Sequence, residues 1–338
     1  MWMILPICCL AIMHIAGDHV AVIPDLASIL GNKEVYVSTL YIFIILGLLF
    51  STILVWIGVK TGEELVVVMK ELYGLQGKRI LAFVTLSVCI PASALTGGYY
   101  AAQVLHILTG ISPLVTSFIC LLLFSVLAAG YGRCLLILSN YIGLLLVPLL
   151  LILLFLFDFK LDIVMPRFSS VNWLLVLGLL GYNVGGMWSI LVVEMGAYLS
   201  QKGYIAICLI LLAKSVEGVF TILIANLVLV ANISGPLALA GIVSQVGGAA
   251  MVFTFNIILF CTFTNTMVPA MLVNARQISS IIQISFLPAL TVAGIIIYLV
   301  SYMRFTTILW IMSYSGFIMI VFIIYTAYLV HKYRENQQ

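Results

Sequence analysis

The stretch LGLLGYNVGGMW, residues 177–188, interrupts a long apolar run with four glycines, a tyrosine and an asparagine. A second interrupted run, HIAGDHVAVIPD at residues 14–25, places Asp18 and His19 where a lipid-facing helix would carry Leu or Val. In a membrane, irregular backbone is tolerated only where it is buried in protein or lines a cavity. The two interruptions therefore predict a pair of broken helices around a buried site.

The composition of the rest of the chain predicts the surroundings of these helices. Of 338 residues, 64% are hydrophobic and 7% are charged, whereas roughly a quarter of a typical soluble domain is charged. Long apolar runs in lipid must be helical because unpaired backbone groups are costly there. The chain is thus predicted to be an all-α integral membrane protein in contact with the lipid bilayer. Its net charge of +3 is small and its cations are scattered along the chain, which argues against binding to nucleic acid.

The number of spans follows from the length of the apolar runs, because a helix needs about 20 residues to cross the hydrocarbon. Ten spans are predicted within a single transmembrane domain, residues 1–338. Two connections are expected to have structure of their own: residues 60–79 as an amphipathic helix ended by Gly74, and residues 232–248 as a segment packed on the bundle. The predicted spans are 3–30, 36–59, 80–108, 112–130, 134–157, 170–199, 204–231, 247–273, 278–301 and 306–330.

The orientation follows from the distribution of Lys and Arg, which favour the cytoplasmic side of a membrane. An even number of spans puts both termini on one side. That side holds nine cations, namely Lys60, Lys70, Lys78, Arg79, Arg133, Lys202, Arg276, Lys332 and Arg334, and the other side holds four, namely Lys33, Lys160, Arg167 and Arg304. We therefore expect an inner-membrane protein with cytoplasmic termini and a short cytoplasmic tail, residues 331–338.

The two interrupted spans, the first and the sixth, are the first helices of two five-span halves, about residues 1–157 and 170–330. An odd number of spans inverts the second half, so the pattern predicts a 5+5 inverted repeat with interrupted helices 1 and 6 around a midplane site. Freed N–H and C=O groups of an unwound turn can hold a small solute. The alternative is that the glycines only permit close helix packing. The expected substrate-binding residues in these helices are Ala16, Gly17, Asp18, Tyr182, Asn183, Gly185 and Gly186.

The carboxylate of Asp18, inside the first span, predicts a functional role because such a group must pair, face a cavity or be protonated. His14 lies four residues earlier and would share a helix face with Asp18, where the two side chains could relay a proton. Asp18 could instead cap the broken helix. A third reading is a metal site formed by His14, Asp18 and His19.

Other polar residues within the spans are candidates for ion coupling or substrate contact. Lys214 and Glu217 are three residues apart on the seventh span and are predicted to form an ion pair, either static or involved in coupling. A tyrosine of the third span could close over a substrate or anchor the helix at the membrane interface. Tyr99 is the named candidate, and the sequence does not decide whether Tyr99 or Tyr100 points inward. Four residues of the eighth span carry side-chain oxygen atoms that suit sodium as ligands: Thr262, Thr264, Asn265 and Thr266. The alternative is that the threonine hydroxyls bond to the backbone of their own helix.

The chain lacks the motifs of familiar enzymes and cofactor sites. It has no HExxH, GxSxG or P-loop lysine motif. Its seven cysteines show no CxxC spacing, which argues against a zinc site or a disulfide framework. We therefore expect no enzyme activity and no cofactor other than a bound Na⁺ or H⁺.

Several features of the chain together resemble a known superfamily. They are the ten-span plan, the Gly-interrupted first helix, Tyr182-Asn183 before Gly185-Gly186, Pro148 late in the fifth span and the Thr-rich eighth span. These features are similar to those of the amino acid, polyamine and organocation (APC) transporters of LeuT-type fold, and within them to the bacterial YkvI-like membrane proteins. The resemblance implies that helices one, three, six and eight line a central site.

The resemblance also implies a function, namely secondary active transport of a small organic solute by alternating access. The solute would be an amino acid or a related amine, and the driving force a proton or sodium gradient. Two other functions stay open. One is a non-transporting nutrient-sensor subunit of germinant-receptor type, whose protein partners the sequence leaves unidentified. The other is a metal-ion transporter that uses His14, Asp18 and His19.

Overall fold

A computed structural model describes residues 20–156 and 166–335, and all regular structure in these two ranges is helical. The middle of the predicted first break, residues 14–19, lies outside the described residues. In chain order the α-helices are α1 (Ile23–Leu30), α2 (Lys33–Thr61), α3 (Leu65–Tyr73), α4 (Leu75–Ser93), α5 (Ala101–Thr109), α6 (Pro113–Ala128), α7 (Arg133–Leu144), α8 (Leu146–Leu156), α9 (Trp173–Val184), α10 (Gly186–Tyr198), α11 (Gly203–Ala231), α12 (Ala238–Val246), α13 (Ala249–Ile282), α14 (Phe286–Ser301) and α15 (Phe305–Glu335). A π-helix, Ala94–Tyr100, joins α4 to α5, and two short 3₁₀ helices lie at Phe168–Ser170 and Ser200–Lys202.

Many of these helices are long and apolar enough to cross a membrane, which confirms a multi-pass membrane fold. In the described ranges there are six such segments, and a seventh if α9 and α10 are taken as one bent span. Three shorter apolar helices accompany them: Val20–Leu30, Pro113–Ala128 and Phe286–Ser301. The count of ten spans and the inverted repeat stay predictions.

Local sequence signals explain where the helices begin and end. The Asn32 side chain accepts hydrogen bonds from the backbone N–H groups of Glu34 and Val35, at 2.9 and 3.2 Å, and so caps the start of α2. Asn172 caps α9 in the same way. Gly62 ends α2 in the left-handed conformation with φ of 70°. Because α2 has 29 residues, it extends over about 43 Å, enough to span the hydrocarbon.

The structured connections agree with the predictions. The first is α3, which ends at Gly74 with φ of 63°. The second contains α12, whose residues Leu239 and Ile242 are fully buried. The Gly235 N–H next to α12 donates to the Pro24 carbonyl at 3.2 Å, which ties this connection to the start of α1.

One predicted boundary is wrong. The eighth span was expected to end at residue 273 and the ninth to begin at 278, but α13 continues to Ile282 and α14 begins at Phe286. The polar residues that suggested a connection are part of the helix. Asn274 is buried and its Nδ2 donates to Ser93 Oγ of α4 at 3.0 Å, while Arg276 is exposed on the same helix.

The helices pack as two groups, and this arrangement positions the site. The first helix group consists of α2, α9, α10 and α11, and the second helix group consists of α4, α6, α13 and α14. Glycines bring α2 and α10 into backbone contact: a Cβ on Gly58 would lie 2.0 Å from the Val193 carbonyl oxygen, and one on Gly196 would lie 2.4 Å from that of Val55. Helix α15 contacts members of both groups.

The two ends of the bundle are called the Lys33 face and the Lys60 face, after the first and last lysines of α2. The connection before α9 lies at the Lys33 face, where Arg167 Nε is 3.3 Å from Glu34 Oε1. The side chains of this pair are 72% and 35% exposed, so it adds little stability.

Candidate functional site

The helix pair formed by α9 and α10 is broken at two adjacent glycines. The axes of the two helices differ in direction by 51°. Gly185 is extended, with φ of −80° and ψ of −172°, and its N–H makes the last hydrogen bond of α9, 3.1 Å to the Gly181 carbonyl. Gly186 has φ of 57°, a conformation that costs residues with a Cβ about 1–2 kcal/mol. Carbonyl groups at the end of α9 and N–H groups at the start of α10 lack intrahelical partners.

The glycines of this stretch have different roles. A Cβ on Gly186 would lie 2.5 Å from Cys89 Sγ, and one on Gly185 would lie 2.4 Å from the Gly181 oxygen, so both positions need glycine at the break. A Cβ on Gly181 would instead lie 2.7 Å from the Gly316 Cα of α15. Close packing, the alternative explanation from sequence, thus accounts for Gly181, whereas the pair at the break also needs glycine because of the positive φ of Gly186 and the contact of Gly185 with the Gly181 oxygen of its own helix.

A cavity of about 50 Å³ adjoins the break, between the first and the second helix group. This volume holds a few water molecules. The polar residues that line the cavity are Ser93, Thr96, Tyr182 and Thr266, and the apolar lining residues include Trp188 and Met267. The cavity is therefore an amphipathic space at the point where backbone groups are released from helical bonding.

A direct hydrogen bond at the cavity joins the first helix group to the π-helix that follows α4. It joins Thr96 Oγ1 of the π-helix to the Tyr182 hydroxyl of α9. The π-helix itself is notable because π turns within long helices often occur at functional sites. Its glycines allow tight contacts: a Cβ on Gly97 would lie 2.5 Å from Met267 Cε, and one on Gly98 would lie 2.4 Å from Ser301 Cβ.

The predicted ion pair of α11 is confirmed. Lys214 Nζ lies 2.8 Å from Glu217 Oε2, and both side chains are almost fully buried. Asn183 joins this pair, because Lys214 Nζ donates to Asn183 Oδ1 at 2.5 Å and Asn183 Nδ2 donates to Glu217 Oε1. Lys214 Nζ also lies 4.3 Å from the centre of the Trp188 ring, close enough for a cation–π interaction.

This polar cluster, Asn183, Lys214 and Glu217, fastens the last turn of α9 to α11. Asn183 was predicted to bind substrate, but it is not among the residues that line the cavity. Trp188, which follows the break, donates from Nε1 to Ser51 Oγ of α2 at 3.1 Å. Both sides of the break are therefore held by the first helix group.

The Thr-rich segment of α13 makes mainly local bonds. The hydroxyls of Thr262, Thr264 and Thr266 donate to carbonyls four residues earlier, at 2.6, 3.0 and 3.4 Å. Asn265 Nδ2 donates to the Ser139 carbonyl of α7 at 3.2 Å. Of the four predicted ion ligands, Thr266 alone lines the cavity, and sodium ligation by this segment stays a prediction.

Five predicted residues, all in the first interrupted helix, lie outside the described residues. They are His14, Ala16, Gly17, Asp18 and His19. Their predicted roles stay predictions. The parts of the chain that are described contain no group of three or more His, Cys, Asp or Glu side chains close enough to hold a metal ion.

The sequence left open which of Tyr99 and Tyr100 points inward, and Tyr99 was named as the candidate for substrate contact. Tyr99 is half-buried and is not among the cavity-lining residues, whereas Tyr100 is fully buried. The Tyr100 hydroxyl donates to Asp25 Oδ2 at 3.0 Å. The available signal was Asp25 itself, a second carboxylate in the first apolar run, beyond Pro24.

Comparison with known proteins finds similarity among solved structures. No protein-family profile and no curated protein sequence match this chain. Among solved structures it is similar to Mhp1, a nucleobase-cation-symport-1 family transporter in a closed conformation with bromovinylhydantoin bound. The TM-score is 0.58 at 16% identity, over 87% of this chain and 70% of Mhp1.

The fold of this chain is similar to that of Mhp1. This likeness confirms the expected LeuT-type architecture at the level of fold, since Mhp1 has a LeuT-like fold. A sequence identity of 16% does not carry a substrate from one protein to the other, because unrelated functions share folds. The finer APC and YkvI-like assignments stay predictions.

Proposed function

We propose that this protein is a secondary active transporter that binds a small organic solute at the Gly185–Gly186 break and carries it by alternating access. The observation that carries the proposal is the cavity at this break, which lies between the first and the second helix group. The transporter fold of Mhp1 supports it. The proposal includes ten spans in a 5+5 inverted repeat and cytoplasmic termini.

The chemistry of the break favours a polar solute with both a donor and an acceptor end. The start of α10 presents backbone N–H groups and the positive end of a helix dipole, which favour a carboxylate or another acceptor. The end of α9 presents carbonyls, which favour an ammonium or another donor. Tyr182 and Thr96 add hydroxyls, and Met267 adds apolar surface. An amino acid or related amine matches this set.

Alternating access would use the interface between the two helix groups. The first group is held together by backbone contact at Gly58 and Gly196 and by the polar cluster of Asn183, Lys214 and Glu217. The second group lines the other side of the cavity through α4 and α13. A proton or sodium gradient would drive the cycle if the ion binds more tightly to the solute-loaded state. Asp18 and the Thr-rich segment are the proposed coupling residues.

The test is uptake into proteoliposomes of the purified protein under an imposed pH or sodium gradient. Because the solute is unidentified, the probe is a pool of radiolabelled amino acids, amines and nucleobases. Two Thr→Val variants form a matched pair: Thr96 bonds to Tyr182 at the cavity, whereas Thr291 lies exposed on α14 and bonds its own helix. Loss of one buried hydrogen bond is worth about 1 kcal/mol, or about fivefold in affinity.

We expect gradient-dependent accumulation by the wild type and by Thr291→Val, and apparent affinity about fivefold weaker in Thr96→Val. Uptake no greater than in protein-free liposomes, for every solute and both gradients, would refute transport. Equal affinity in the two variants would refute the placement of the solute.

A further inference from the structure

A second buried carboxylate, which is not part of the polar cluster of α11, lies near the start of α1. Asp25 is 5% exposed. Its Oδ2 accepts the hydrogen bond from the Tyr100 hydroxyl at 3.0 Å. Its Oδ1 is 3.5 Å from Ser28 Oγ, but that hydroxyl donates more closely, at 2.6 Å, to the Asp25 backbone carbonyl. Two hydroxyls are thus its hydrogen-bonding partners.

The two buried carboxylates differ in how their charge is balanced. Glu217 has the Lys214 ammonium at 2.8 Å. Among the described residues, no Lys, Arg or His forms an ion pair with Asp25. An ionised carboxylate buried without a cation costs several kcal/mol, and two neutral hydroxyl donors offset only part of that cost. The neutral carboxyl is the form that suits this environment.

Within residues 20–156 and 166–335, the groups that face Asp25 from neighbouring helices do not supply a positive charge. Tyr36 of α2 donates its hydroxyl to the Ile23 carbonyl at 3.0 Å. Tyr99 and Tyr100 approach from the π-helix. Of the other helices that pack on α1, α12 has no ionisable residue, and the two charged residues of α11, Lys214 and Glu217, bond to each other. At the start of α2, Lys33 is exposed, and Glu34 is partly buried and pairs with Arg167.

The position of Asp25 connects it to closure of the site. Tyr100 lies one helical turn beyond Thr96 of the cavity, toward the Lys33 face. Its ring stacks on Phe263 of α13, with centroids 6.5 Å apart, and meets Phe305 of α15 edge-on at 6.4 Å. The hydrogen bond from Tyr100 to Asp25 therefore fastens α1 to an aromatic layer between the cavity and the Lys33 face.

We propose that the Asp25 carboxyl is a proton-binding site, which holds a proton in this structure and fastens α1 to Tyr100. A proton from the aqueous side adds to one carboxylate oxygen and neutralises it, and no other bond changes. When the proton leaves, the carboxylate gains more from water than from its buried position, which favours separation of α1 from the π-helix. This inference deepens the proposed transport function, because it assigns a proton to the gate on the Lys33 face.

The test is infrared spectroscopy of the reconstituted protein at pH 7, which detects the C=O stretch of a protonated carboxyl group. Exposed carboxylates ionise near pH 4 and do not contribute. We expect a protonated-carboxyl band in the wild type that Asp25→Asn removes and that Glu217→Gln leaves in place. Tyr100→Phe should keep the band but move it to higher frequency, because the carboxyl loses a hydrogen bond.

Absence of the band from the wild type, or an unchanged band in Asp25→Asn, would overturn the proposal. If Asp25→Asn fails to fold, the frequency shift in Tyr100→Phe decides, and an unshifted band rejects the assignment. The spectrum does not depend on transport. A band assigned to Asp25 together with absent uptake would therefore refute the transport function while the proton site stands.

Discussion

Removal of one partner of the buried ion pair is predicted to destabilise the protein strongly. Removal of both partners is predicted to cost much less than the sum of the two single removals. The perturbations are Lys214→Met, Glu217→Gln and the double substitution. Coulomb's law at the observed 2.8 Å gives about 6 kcal/mol of attraction at an effective dielectric constant of about 20. Desolvation of the two ions offsets much of this attraction. Measured losses on breaking such pairs are about 3–5 kcal/mol, because one charge is left buried.

The double variant carries neither charge, so its cost falls well below the sum of the two single costs. We expect a coupling energy of about 3 kcal/mol, which is more than a hundredfold in the ratio of folded to unfolded protein. The assay is reversible unfolding in mixed detergent micelles, followed by circular dichroism. A matched control is Glu34→Gln, which breaks the exposed pair with Arg167 and should cost less than about 1 kcal/mol. Additive single costs would refute the assigned geometry.

Four further substitutions test the break and the π-helix beside it. Gly186→Ala should lower the midpoint of thermal unfolding in detergent, because it adds about 1–2 kcal/mol of backbone strain to a contact 2.5 Å from Cys89; an unchanged midpoint would contradict the left-handed backbone there. Gly98→Ala should destabilise more than Gly97→Ala, because its neighbour is a Cβ and not the flexible end of a methionine; the same unfolding measurement with the reverse order would exclude this packing. Tyr182→Phe should weaken solute affinity about fivefold by loss of the bond to the π-helix; competition uptake measures this, and unchanged affinity would remove Tyr182 from the site.

Much of the fold follows from the sequence because lipid restricts the backbone to a few solutions. Apolar length located the helices, and the glycine pair at 185–186 marked a real break. Gly74 ended the connecting helix α3 as expected. The misplaced boundary after residue 273 has a physical cause: polar residues such as Asn274 bond to a neighbouring helix inside the bundle, and a single sequence does not distinguish such a contact from a loop.

The site was harder to predict, because a residue's helix face depends on packing and on helix type. The π-helix at residues 94–100 shifts the register of side chains, so adjacent tyrosines have different surroundings and Tyr100 contacts Asp25. Asn183 was correctly assigned to the broken helix, but it bonds to Lys214 instead of lining the cavity. The ion pair on α11 was predictable, since residues three apart share a helix face.

The most direct test of the central claim, that solute binds in the cavity at the break, is protection of Cys89 from a small methanethiosulfonate reagent. Cys89 lines the cavity, whereas Cys120 is buried in α6 and is not among its lining residues. Mass spectrometry of the natural chain reports modification at each cysteine separately. The account predicts that Cys89 is modified as the cavity opens, that the transported solute slows this reaction, and that Cys120 stays unmodified. Modification of Cys89 at the same rate with and without a solute that the protein accumulates would contradict it.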